Sequence, residues 1–240
     1  MSEVLTIIIL TGLAGACIPL GGLLARFEKF RPQWLDKEFR HFVIAFGGGI
    51  LIGAIAVVLV PEGKSQLSVP LLAIPIFLGG GLCFFGVERI LGLRRREAPQ
   101  LMGMVLDYVP EAIALGGMVA VEAKAAPLLA LLIGLQNLPE GFNSYRELKQ
   151  LKKPSDKNWT ILVMMGLVLL GPASGLIGYF LLSDFPDVLG GIMLFASGGI
   201  LYLIFQDIAP QSRLNHHWAP PLGAVLGFCV ALFSEMVVSH

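Results

Sequence analysis

Leu101–Val121, LMGMVLDYVPEAIALGGMVAV, and Ala126–Tyr145, APLLALLIGLQNLPEGFNSY, read as two apolar helices joined by four residues, each carrying a proline followed at once by a glutamate. Each run has the roughly 20 residues, at about 1.5 Å of rise per residue, that a helix needs to cross a hydrocarbon core. An acid at that depth costs at least about 2.5 to 3.5 kcal/mol, so a membrane helix keeps one only where something compensates it.

Outward from this pair, further runs of the same length lie between charged breaks. They are Val4 to Ala25, Phe42 to Val60, Val69 to Val87, Trp159 to Leu182, Val188 to Ile208 and Trp218 to Val238. With the central two they make eight predicted spans, which occupy most of the 240 residues and leave no room for a separate soluble domain. The chain is therefore expected to be an all-α integral membrane protein, a single transmembrane domain over 1–240 built as an eight-helix bundle. Composition agrees: 55% of residues are hydrophobic, 14% are charged, and mean hydropathy is +0.78. The 17 basic and 17 acidic residues cancel, so nothing points to nucleic acid and any electrostatic role must be local. Cys17, Cys83 and Cys229 lie far apart in apolar runs, a pattern that suits buried thiols better than disulfides or a zinc cluster. The opening Met1-Ser2-Glu3 lacks a basic n-region, so the first run reads as a mature span.

Fifteen of the 17 basic residues fall in alternate connecting segments, and only Lys64 and Lys124 fall on the other side. Cytoplasmic loops retain Lys and Arg, so an even number of spans with both termini outside the cytoplasm is expected. Gly48-Gly49-Ile50-Leu51 in the second span recurs as Gly198-Gly199-Ile200-Leu201 in the seventh, each followed nine or ten residues later by Pro61 or Pro210. Those spans run in opposite directions. An inverted repeat of spans 1–3 and 6–8 around spans 4 and 5 would give this pattern, and so would chance among common membrane residues.

Helical spacing of four places Asp107 over Glu111 and Gln136 over Glu140, so each central helix offers two oxygen ligands from one face. Pro110 frees the C=O of Leu106, and Pro139 that of Leu135, which suits helices lining a hydrated path. No Lys or Arg occurs in either span before Arg146, so the compensating charge is a bound cation or protons.

These paired Pro-Glu motifs on adjacent central spans, with eight spans and external termini, resemble the ZIP metal-ion transporters. Gln136-Asn137-Leu138-Pro139-Glu140-Gly141 is close to that family's fifth-span motif, and Phe46 to Gly53 and Pro61-Glu62-Gly63 are similar to their family counterparts. The resemblance implies import of a divalent metal (Zn, Fe or Mn) toward the cytoplasm, with Asp107, Glu111, Gln136 and Glu140 as the principal site. The metal is substrate, and no cofactor is implied. Asp107 stands where the family has His, Tyr108 where it has Asn, and Asn137 where some members have a metal-binding Asp. Gly171, before Pro172, stands where those members have Glu. One ion bound by oxygen donors alone is the consequence. The His-rich loop that often separates spans three and four is replaced by Leu91 to Gln100.

Asp207 near the end of span seven, His41 and the His216-His217 pair are candidate transit ligands, each also readable as an ordinary interfacial residue. Glu235 reads as interfacial, and Glu62 and Lys64 as part of a short external loop. Two rival functions stay open: a transport-inactive metal-binding or regulatory relative, and an intramembrane hydrolase using an acid and base pair. Beyond lipid and metal no partner is implied, and a homodimer is left open.

Overall fold

The computed structural model describes residues 2–27, 33–92, 99–121, 124–151, 157–214 and 218–238. Every regular element among them is helical. The order is α1 (Glu3–Phe27), α2 (Gln33–Ala54), a π-helical turn (Ile55–Leu59), α3 (Val60–Ser65), a 3₁₀ turn (Pro70–Leu72), α4 (Ala73–Gly92), α5 (Pro99–Val121) and α6 (Ala126–Leu151). It continues with α7 (Lys157–Val168), α8 (Leu170–Leu182), α9 (Pro186–Leu203), a second π-helical turn (Ile204–Ile208), α10 (Ala209–Ser212) and α11 (Ala219–Val238).

Among the described residues seven helices are long and apolar enough to cross a membrane: Glu3–Phe27, Glu38–Ser65, Pro70–Ile90, Gly103–Val121, Trp159–Leu182, Pro186–Ser212 and Ala219–Val237. The protein is thus a multi-pass, all-helical membrane protein. The run expected as the fifth span forms the 26-residue helix α6, which is too polar to stand among the seven. The reason is its position: α6 packs against α1, α2, α5, α7 and α11, and an enclosed helix needs no apolar surface for lipid.

The second and seventh spans run further than hydropathy suggested. Pro61 cannot donate to Val57, and its ring crowds that carbonyl. The helix accommodates this by widening, with Val60 N–H bonding back to Ile55 C=O. Pro210 follows the second π turn at the same distance, with Ala209 N–H bonding to Ile204 C=O. Glu62 and Lys64 therefore lie on α3, a continuation of the span, and not in a loop. Pro172 has the ordinary proline effect on span six, which breaks at Leu169 between α7 and α8.

Four helix pairs have the most extensive contacts: α1 with α6, α2 with α11, α4 with α9 and α5 with α8. Each is a mutual glycine contact. In the first, Gly21 lies against Leu138 C=O and Gly141 against Ile18 C=O, so a Cβ on either would strike the other helix's backbone. Gly49 and Gly227 do the same between α2 and α11. Without a hydrophobic driving force in lipid, this close backbone approach is what holds helices together.

The thiols differ from expectation. Cys83 and Cys229 are exposed, Cys17 is half-buried, and all three are free. Apolar residues on a membrane helix face lipid as readily as core, so an apolar run does not fix burial.

Candidate metal centre

α5 and α6 each run through their internal proline, Pro110 and Pro139, and pack together so that the two motifs meet at mid-helix. Glu111 and Gln136 are fully buried, and Gln136 Nε2 donates to Glu111 Oε2 at 2.5 Å. Asp107 is buried with Oδ1 accepting the Tyr108 backbone N–H at 2.8 Å, and Glu140 is half-buried with both carboxylate oxygens enclosed.

A cleft of about 540 Å³, measured out to its open mouth, runs between α5 and α6 on one side and α2 and α9–α10 on the other. Its lining runs from Asp107 and Glu140 at mid-helix to Gly103 and Gln211, toward the end of the bundle that carries Arg40, Arg146 and Arg213. Asp107 and Glu140 line it; Glu111 and Gln136, one turn further along their helices, do not. The four predicted ligands are thus divided into a cleft-lining pair and a hydrogen-bonded pair.

Four oxygens of these residues have no hydrogen-bond partner among the described residues: Glu111 Oε1, Gln136 Oε1, and Glu140 Oε1 and Oε2. Asn143 Oδ1 and Ser144 Oγ, buried on the next turn of α6, share that condition. Buried polar atoms are nearly always paired, so such a concentration on one helix face marks a place where a ligand belongs. Also among the described residues, no three His, Cys, Asp or Glu side chains lie close enough together to hold a metal ion. One Glu111 oxygen is taken by the Gln136 amide.

No family model and no curated protein matches the chain. The substituted positions have a physical account of their own. Tyr108, fully buried, donates its hydroxyl to Thr11 C=O at 3.0 Å, and a Cβ on Gly171 or Gly15 would overlap that hydroxyl. The space that a Glu at 171 would use is filled by the phenol. Asn137 Nδ2 donates to Ala14 C=O at 3.0 Å, while its Oδ1, like that of Asn143, is enclosed without a hydrogen-bond partner among the described residues.

Asp207 is on the second π turn and lines the cleft. His41 on α2 and Glu235 on α11 are not among the cleft-lining residues. His216 and His217, like Arg94 to Arg96, lie outside the described residues. Sequence reading missed Asn143 and Ser144, although they follow Glu140 by three and four residues, the same spacing that linked Gln136 to Glu140.

Proposed function

We propose that the chain is a secondary carrier that moves divalent metal cations through one carboxylate-rich site, with Asp107, Glu111, Gln136 and Glu140 as ligands. The observation that carries this reading is the set of enclosed oxygens without donors on α5 and α6, two helices with no Lys or Arg before Arg146. An unpaired buried carboxylate costs several kcal/mol, and a divalent ion is the partner that answers several such oxygens at once. Three carboxylates and a carboxamide suit Mn²⁺ and Fe²⁺, while raw affinity still favours Zn²⁺. The ZIP resemblance points to the same four positions. A hydrolase would use an acid and base pair; Asp107, Glu140 and Asp207 line the cleft, while the Glu111 carboxylate is engaged with Gln136.

In this reading α6 is the eighth crossing and the bundle is an inverted repeat. Exchanging spans 1–3 with 6–8 and α5 with α6 turns the α1/α6 pair into α8/α5, and α2/α11 into α9/α4, which are the four glycine-mediated pairs. The π turns and Pro61 and Pro210 then correspond at one constant offset. At that offset Gly49 is matched with Gly198, each pressed on a neighbouring backbone, one residue out of step with the Gly-Gly-Ile-Leu recurrence.

The same exchange gives the cleft a counterpart on the far side of the site. The residues matched to Gly103, Met104, Gly48 and Ile208 are Leu132, Ile133, Ser197 and Leu59, all fully buried. Alternating access would have the cleft and this counterpart open in turn. With the basic end cytoplasmic, both termini lie outside and the open half is the inner one.

Metal-dependent thermal stabilisation of the purified full-length protein tests the reading. Mn²⁺ or Zn²⁺ should raise the melting temperature of wild type and not of Glu140→Gln. Absence of any shift with either ion contradicts metal binding. A shift without flux in liposomes would assign the transport-inactive reading.

A further inference from the structure

Asn143 lies on α6, three residues beyond Glu140 and on the same face, and it forms part of the cleft wall. It is 4% exposed. Its Nδ2 donates to the Pro139 C=O at 2.9 Å. A carbonyl only accepts, so this bond fixes which way the amide lies and leaves Oδ1 as the group presented elsewhere. That oxygen is enclosed and has no hydrogen-bond partner among the described residues. Both oxygens of Glu140 are in the same condition, and Asp107 faces the same cleft from α5.

The other two ligands point to a division of labour. Gln136 and Glu111 are bonded to each other and neither lines the cleft. With no three acidic, His or Cys side chains converging among the described residues, a third donor on the cleft side has to be a neutral one. We infer that Asn143 Oδ1, with the carboxylates of Asp107 and Glu140, forms an oxygen subsite for a divalent cation at the cleft-side end of the one site, which the single ion occupies in turn with the Glu111–Gln136 end. Two carboxylates and one carboxamide neutralise a divalent ion, and cleft water completes its coordination. The counterpart of Asn143 on α5 is Ala114, which offers no donor, so the subsite serves one side of the membrane only.

This assignment rests on the carrier reading, and calorimetry with Mn²⁺ on the purified full-length protein separates the two. Asn143→Ala should bind Mn²⁺ about tenfold more weakly than wild type, the loss expected for one neutral ligand. Asn143→Asp should recover or exceed wild-type affinity, because it restores an oxygen and adds a charge, whereas a packing role for the amide predicts no such recovery. Wild-type affinity in Asn143→Ala, or a loss that Asn143→Asp does not recover, overturns the subsite while leaving the carrier reading standing, provided Glu140→Gln abolishes binding. If wild type itself binds no Mn²⁺, both fall together.

Discussion

Gln136 and Glu111 join α6 to α5 through a side-chain hydrogen bond of 2.5 Å, one turn beyond the point where Asp107 and Glu140 face the open cleft. The amide spends its donor on a carboxylate and keeps its own carbonyl oxygen without a partner among the described residues.

Unequal costs follow for the ligands. Glu111→Gln and Glu140→Gln remove a charged oxygen from an enclosed site and should each weaken metal binding by at least about a hundredfold. Gln136→Ala removes a neutral donor and should cost about tenfold. Calorimetry on the three variants checks the ranking, and equal losses would mean that the glutamates act through the fold and not as ligands.

Stoichiometry should be one ion per protomer at the centre. Tyr108 fills the space beside Gly171, and position 137 carries an amide, so neither position offers a second ion an acid. Gly171→Ala should destabilise the protein by about 1 to 3 kcal/mol because its Cβ meets the Tyr108 hydroxyl. Tyr108→Phe should cost about 1 kcal/mol for the bond to Thr11. Melting curves in detergent measure both. Anomalous scattering that finds two adjacent, fully occupied metals contradicts the count.

Much of this arrangement was legible in the residues. The apolar runs predicted an all-helical membrane protein and correspond to the seven helices long and apolar enough to cross, and the Asp107/Glu111 and Gln136/Glu140 spacing lies on the faces joined by the Gln136–Glu111 bond. Other features depend on tertiary contact. A proline in an apolar run reads as a stop, yet Pro61 and Pro210 follow π turns and the helix continues beyond them, where α3 packs on α9 and α10 on α2. Tyr108 looks like a substitution on α5 alone until Gly15 and Gly171 are seen to make room for it. The reciprocal glycines were visible as composition, but which backbone each one meets was not. Hydropathy also undervalues α6, whose Gln136, Asn137, Glu140, Asn143 and Ser144 are tolerated because the helix is surrounded by others.

Metal choice should follow the ligand atoms. Asp107 provides a hard oxygen where the ZIP pattern has an imidazole, so Asp107→His should shift the ranking of Mn²⁺, Fe²⁺ and Zn²⁺ toward Zn²⁺ by about tenfold or more. Competition binding before and after the substitution is the check, and an unchanged ranking removes Asp107 from the ligand set.

Acid should oppose binding. In the carrier reading the carboxylates of Asp107, Glu111 and Glu140 must be deprotonated to hold the ion, so protons compete with metal and affinity should fall as pH is lowered. Titrations between about pH 8 and about pH 5 should show a monotonic decrease for Mn²⁺. The decrease should be shallower in Glu111→Gln, which has one acid fewer. A flat profile in wild type would mean that the three acids do not share one site.

The most direct measurement of the carrier reading is flux. Full-length protein in liposomes loaded with a metal-sensitive dye should admit Mn²⁺ or Zn²⁺ saturably, and Glu140→Gln, inserted to the same level, should reduce the rate to that of empty liposomes. Wild-type liposomes no more permeable than empty ones, in protein that binds the ion, would contradict transport and leave a binding protein in its place.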